Sequence, residues 1–149
     1  MSKIIIKGVL LFIGLAILLF IGRLYSEGKR SQTMAPLSWD NLQCPPSPNC
    51  VSSLAQGEHF IEPLDLGPAS TSKLKQALTN LGIIIKKETN SHIHGEHTSK
   101  IFGFVDDIHI SSQPNSTGKY DIRSASRVGY SDLNANRNRI EKIKAELQK

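Results

Sequence analysis

Aromatic residues are scarce in this chain, with one Trp, three Tyr and five Phe, and there are only two cysteines. Few aromatics, with no basic stripe interleaved among them, exclude the stacking surfaces on which single-stranded nucleic acids are held. Gly-rich phosphate loops and zinc-finger spacings are missing too, and two cysteines alone do not fill a four-ligand zinc site. No G-x-S-x-G elbow occurs and no serine has an assignable His-Asp pair, so serine-hydrolase chemistry has no motif to rest on. None of these patterns implies a cofactor. The net charge of +5 is less basic than it looks, because Lys3, Lys7 and Arg23 lie in or beside an apolar N-terminal run and all 13 acidic residues follow it. Setting those three aside from the 18 basic residues leaves 15 against 13, too balanced for a nucleic-acid partner.

What is present begins with that run. Ile4 to Gly22 is apolar apart from Lys7, and its 19 residues make about 28 Å of helix, close to the ~30 Å hydrocarbon core of a bilayer. Residues 1–25 are therefore expected to form a single transmembrane anchor. A cleaved signal peptide would end in a small-x-small site, whereas Arg23-Leu24-Tyr25-Ser26-Glu27 follows here. A lipoprotein would need a cysteine directly after the run, and Cys44 lies roughly twenty residues too far on.

Lys3 and Lys7 before the span compete with Arg23, Lys29 and Arg30 after it, so the positive-inside rule does not choose a side. The cysteines do. Cys44 and Cys50 flank Pro-Pro-Ser-Pro-Asn, and an even count behind a membrane segment suits a disulfide in an oxidising compartment. The spacing departs from the C-x-x-C of thioredoxin-like redox pairs, and a nucleophilic cysteine would need a positioned base. The expected arrangement is a single-pass membrane protein with its C-terminal part on the extracytoplasmic, periplasmic side.

Residues 26–43 are polar and aperiodic and read as a linker, with Trp39 and Leu42 tucked against a single domain over 44–149. His59–Ile61 reads as a short strand. Ser70 or Thr71 can cap a helix to about Leu81, with Leu74, Ala77, Leu78 and Leu81 on one stripe and Gly82 as its stop. Strands are expected from Ile83 to about Glu88 and over His92–Ser99, Ile101–Ser111 and Lys119–Val128, with Pro114 to Gly118 as a hairpin turn. A last helix spans about Leu133–Gln148, with Leu133, Ile140, Ile143 and Leu147 as its apolar stripe. Short connections imply antiparallel pairing, so the fold class is α+β, a two-layer sandwich with two helices on one face of about four mainly antiparallel strands.

The charges within those strands are denser than a folding core requires. Counting by twos, Asp106 shares a face with Phe102, Phe104, Ile108 and Ile110, and Ser124 and Ser126 share one with Tyr120, Ile122 and Val128. An inward Asp106 is satisfied if Ser124, Ser126 and an arginine from the last helix surround it. The other faces carry Asp107 and His109, and Asp121, Arg123 and Arg127. Arg123 and Arg127 project from one face roughly 13 Å apart, so a bend, plausible at Gly129, is needed to bring them onto one small carboxylate. That face is left uncovered by helices. Arg137 and Arg139 add charge from the last helix, whose N-terminus near Asn134 offers free N–H groups to an anion. The candidate ligand-binding set is Asp106, Asp107, Arg123, Ser124, Ser126, Arg127, Arg137 and Arg139. The alternative is a closed ion-pair network, since Asp106, Asp107, Asp121 and Asp132 match the four arginines in number. His92, His94 and His97 with Glu96 form H-x-H-x-E-H, which puts two imidazoles on one side of a strand, but Gly95 suggests a bulge and no third metal ligand is fixed.

The blocks FGFVDDI from Phe102, RSASRVGYSDL from Arg123 and NRNRIE from Asn136, together with CPPSPNCVSS at Cys44 to Ser53, resemble the signature blocks of the domain of unknown function 1499 family, found in bacteria and in plant plastid proteins. The resemblance covers about residues 40–148 in the family's order and spacing. It implies one compact domain, often behind a membrane or export segment, and no activity. Two positions depart from the family pattern: an acidic residue is usual where His109 stands, and Gly-Val where Asn134 and Ala135 stand. No role of an acid at the first of these carries over to this chain.

Three functions follow as expectations. The first is a membrane-anchored, non-catalytic module binding a small anionic ligand or lipid headgroup. The second is a structural or interaction partner in a cell-envelope complex. A hydrolase-like enzyme using Asp106 or Asp107 stands third, since no second acid is placed at a defined distance from either.

Overall fold

The apolar run forms a helix longer than the sequence suggests. In the computed structural model, which describes residues 3–38, 42–67, 71–114 and 116–149, helix α1 runs from Lys3 to Thr33. It is long and apolar enough to cross a membrane, and side chains such as Leu11 and Phe12 along it are exposed. Residues 26–33, expected to open the linker, are its last turns. They stay helical because they dock. Gly28 lies so close to the Phe102–Gly103 backbone that a Cβ there would meet the Phe102 carbonyl oxygen at 1.7 Å. Three residues on, the buried Ser31 hydroxyl donates to the Gly28 carbonyl at 2.7 Å and accepts the Val105 N–H at 3.0 Å. Small residues one turn apart thus let backbone meet backbone. Leu42 is buried as expected, while Trp39, Ser70 and Asn115 lie outside the described residues.

Six strands build the sheet, two more than expected: β1 Cys50–Ser52, β2 Leu64–Asp65, β3 Ile84–Glu88, β4 His92–Thr98, β5 Val105–Ser112 and β6 Lys119–Ser126. The order is β1-β6-β5-β4-β3, all antiparallel, with β2 also pairing along β6. The two additional strands are too short for alternation to reveal. His59–Ile61 is not a strand; a 3-10 turn covers Gly57–His59 and Ile61 drops into the core. β5 begins at Val105, and Ile101 to Phe104 closes the preceding turn. Gly95 sits mid-strand in β4 under Ile83, whose Cγ2 would lie 2.6 Å from a Cβ, and the register with β3 slips beside it, between Ile85 and Lys87.

Helices α2, Thr71–Asn80, and α3, Ala135–Leu147, cover one face of the sheet as the α+β reading requires. Leu74 and Leu78 from α2 and Ile140 and Ile143 from α3 meet Ile93, Ile108, Ile110 and Ile122 from the strands. Each such side chain, fully buried, contributes about 1.5–3 kcal/mol. Leu133 does not join the stripe of α3: it has φ 53° and is 89% exposed, and the helix starts two residues later, after a left-handed Asn134.

Candidate functional site

Cross-strand register places the two neighbouring acids on opposite faces. Asp106 aligns with Ser126 and His97, and Asp107 with Ala125 and Glu96. Asp106 therefore faces the helices, where Arg139 of α3 donates to its carboxylate. The same guanidinium donates to Ser124 Oγ at 2.9 Å and Asn136 Oδ1 at 2.6 Å. Asn136, fully buried, joins the rest: its amide donates to the Asn49 carbonyl at 2.9 Å, to Ser126 Oγ at 3.0 Å and to Asp132 Oδ2 at 2.7 Å. Of the partners expected for Asp106, the terminal arginine bonds it directly, while Ser124 and Ser126 join the cluster through Arg139 and Asn136. Asn136 was missed, although counting back four from Ile140 along the buried stripe lands on it. Burial and the Arg139 charge together lower the pKa of His97 at the edge of this cluster.

At the start of α3 the backbone donors are already in use. Asp132 occupies them, accepting the Asn134 N–H at 3.1 Å and the Asn136 N–H at 2.8 Å. A carboxylate there complements the helix dipole. Arg137 stands apart from the other site residues, donating to the Glu58 carbonyl beside a small recess lined by Cys50, His59 and Asp132.

The opposite face is not uncovered. The end of α1 and the segment after it lie across it and bury Arg123 and Arg127, which are 5% and 8% exposed. Arg127 grips Asp107 with two bonds, Nε to Oδ2 at 2.8 Å and Nη2 to Oδ1 at 2.7 Å, and Nη2 also donates to Glu96. Its remaining nitrogen caps α1, donating to the carbonyls of Ser31 at 3.3 Å and Met34 at 3.1 Å, where the negative end of the helix dipole favours a cation. His94 Nε2 lies 2.8 Å from Asp107 Oδ1, and the Leu37 N–H donates to Oδ2 at 3.1 Å. Burial by itself would raise the Asp107 carboxyl, but the bonds from Arg127, His94 and Leu37 outweigh it and hold the group well below the usual carboxylate range. Hydrogen bonds to Asp107 and Glu96 outweigh burial at Arg127 and raise its pKa.

Ligand atoms of His94, Glu96 and Asp107 lie within 4.8 Å of one another, a spacing a metal ion accepts. The Arg127 guanidinium already bridges both of those carboxylates, so a metal would have to displace a bidentate, buried cation. These residues are better read as an arginine clamp.

Next to the clamp the pattern of full pairing breaks. Arg123 and His109 are direct cross-strand partners on this face, and Arg123 Nε and His109 Nε2 are buried with no hydrogen-bond partner among the described residues. The only bond of the Arg123 guanidinium among the described residues is a long one, 3.4 Å, to the Ser38 carbonyl. Burial lowers the Arg123 pKa, partly offset by the Asp107 charge. His109 stacks on His94 with ring centres 4.7 Å apart, and its Nδ1 lies 3.4 Å from His92 Nε2. Burial first, then the neighbouring His94, push its pKa down to about 4, so it is neutral at pH 7.

Arg123 and Arg127 line a cleft of about 350 Å³ between the end of α1, the proline loop and the end of β6, with Arg30, Ser47, Asn49 and Gly129 among its walls. The proline loop is held by the Cys44–Cys50 disulfide, whose Cα atoms are 5.6 Å apart and whose second cysteine opens β1. The eight residues expected to form one site thus fall into separate places. Asp106, Ser124 and Arg139 are closed in under the helices together with Ser126, Asp107 and Arg127 form the clamp, Arg137 is remote, and Arg123 stands at the cleft.

The profile of a family described as protein of unknown function, DUF1499, matches residues 42–147. No curated protein matches the sequence.

Proposed function

The chain belongs to the DUF1499 family, whose description carries no activity, and from that premise we propose a membrane-anchored, extracytoplasmic module that binds a small carboxylate or phosphate compound in the cleft beside Arg123. The observation that carries this reading is the state of Arg123. It is a buried guanidinium with no salt bridge among the described residues, its charge only partly offset by nearby Asp107, and with an unbonded Nε; it lines an open cleft that Glu27 and Arg30 also line. A buried charge left without a full partner costs on the order of a few kcal/mol, and an anionic ligand recovers part of that cost. The neutral His109 beside it leaves a second buried nitrogen unsatisfied, behind the cleft wall and not on it. Helix α1 supplies the anchor, and the disulfide supports placement in an oxidising, extracytoplasmic compartment.

Catalysis by Asp106 or Asp107 fits the geometry poorly, because both carboxylates are gripped by arginines and Asp107 is held too acidic to serve as a base at neutral pH. The interaction-protein reading draws on Tyr130 and Leu133, exposed at 77% and 89% in the loop between β6 and α3. Native mass spectrometry of the full chain, released from membranes without reductant, separates the two. A stoichiometric extra mass is expected on the wild type and lost on Arg123→Gln, with affinity for the released compound falling about tenfold to a hundredfold, the size of one or two charge-assisted bonds. Arg123→Gln should leave stability within about 1 kcal/mol or raise it, since it removes a buried charge that has no salt bridge among the described residues. A bare wild-type mass, with no shift in melting temperature on adding phosphate or acetate, would sink the binding module and favour the interaction protein.

A further inference from the structure

The turn between β4 and β5 has an unusual composition for its place. Turn tips favour Gly, Asn, Asp, Ser and Pro, yet this one reads Lys100-Ile101-Phe102-Gly103. Ile101 is 80% exposed, the largest exposure of any big apolar side chain after Leu133 among the described residues. The exposure does not come from a loose loop. Ser99 N–H donates to the Phe104 carbonyl at 2.8 Å, Gly103 N–H to the Ser99 carbonyl at 3.1 Å, and Phe104 N–H to Ser99 Oγ at 2.9 Å.

This turn is also fastened to α1. Val105 N–H bonds Ser31 Oγ at 3.0 Å, Gln32 Nε2 donates to the Gly103 carbonyl at 3.0 Å, and the Phe102 carbonyl is pressed against Gly28. Going backwards from Val105 to Phe102, the chain therefore steps from the level of Ser31 to the level of Gly28, one helical turn nearer the apolar stretch. Ile101 and Lys100 precede Phe102 at the exposed tip of this turn. Gly28 follows Gly22, the last residue of the apolar run, by six residues, which puts it about 9 Å beyond the hydrocarbon edge. The headgroup layer occupies roughly 5–8 Å on each side. An isoleucine side chain projecting toward the membrane from there enters that layer, and the exposed Lys100 ammonium comes within reach of lipid phosphates.

We propose that the Lys100-Ile101-Phe102 tip is a second membrane contact, seated in the phospholipid interface beside α1. This rests on the reading that α1 crosses the bilayer. The tip then fixes the face of the sheet that looks at the lipid, and the Arg123 cleft opens beside the same end of α1.

The test uses the full chain in vesicles of phosphatidylcholine and phosphatidylglycerol carrying brominated acyl chains, which quench tryptophan on contact. In a Trp39→Phe background, Ile101→Trp is compared with Asn90→Trp, an exposed position on the turn at the other end of β4. Quenching of at least twofold is expected for Ile101→Trp and next to none for Asn90→Trp. Equal quenching of the two, with the protein resisting alkaline extraction from the vesicles, overturns the tip contact and leaves the α1 anchor standing. Protein washed off by alkali overturns both. Protection of Ile101→Trp from iodide without bromine quenching also overturns the proposal, since a protein surface, not lipid, then covers the tip.

Discussion

Two buried polar clusters back onto each other through β5 and β6, one under α3 and one under the end of α1, and they differ in how fully they are paired. In the first, Arg139, Asp106, Asn136, Ser124 and Ser126 bond one another. In the second the Arg127 clamp is as tightly made, yet its neighbours Arg123 and His109 each keep an unbonded buried nitrogen. Burial of charge is thus not itself the mark of a site in this molecule. Incomplete pairing next to an opening is, because a folding network has no reason to leave donors unmet where rearrangement would satisfy them.

Breaking the closed cluster should have the largest effect. Arg139→Ala leaves Asp106 buried without its cation and is expected to cost about 3–5 kcal/mol in denaturant unfolding, while the Arg127 clamp, on the other face, keeps its contacts. A loss below about 1 kcal/mol would mean that the cluster is less closed than its bonds indicate.

The open side should show itself in acid. His109 is neutral and buried when folded, with a pKa of about 4 against an ordinary 6.5, so the unfolded chain takes up its proton first as pH falls. Its contribution is complete above pH 6.5 and is lost on going down to about pH 4, some 3 kcal/mol in all. The groups around it are His92, His94, Arg123 and Asp107, and Asp107, whose pKa is depressed, loses its own contribution only at still lower pH. Urea unfolding between pH 7 and pH 4.5 should thus show a falling limb that His109→Gln flattens. An unchanged slope in that variant removes His109 as its cause.

The smallest of the three effects should come from the joint that covers the open cluster. Gly28→Ala pushes a methyl into the Phe102 carbonyl and is expected to cost about 1–3 kcal/mol, lifting the last turns of α1 from the sheet. Trypsin cleavage at Lys29 or Arg30 should rise about tenfold or more in vesicle-bound protein. An unaltered cleavage rate would show that the close approach relaxes without undocking.

How far the sequence reveals these clusters depends on which element completes them. Asp106 with its serines was legible because alternation put an acid and two hydroxyls on an apolar face, and a terminal helix with two arginines was at hand. The α1 side was not, since Gly28 and Ser31 are two small residues with no apolar stripe, and docking through backbone contact leaves no periodic signal. The face that carries Arg123 and Arg127 therefore looked open when it is half roofed. Strands β1 and β2 escaped for a simpler reason, being three and two residues long. The α+β class, the disulfide and the long apolar helix needed no such partner information, because each is written in local pattern.

The continuity of α1 through Thr33 changes what kind of tether this is. Eighteen flexible residues, as the stretch 26–43 first reads, would act as a leash, letting the folded part wander on a scale of roughly 24 Å. With the helix unbroken to Thr33 and pinned at Gly28 and Ser31, the leash becomes a stalk. If α1 crosses a bilayer, a stalk of this kind holds the folded part at one height and one azimuth, where a leash would not.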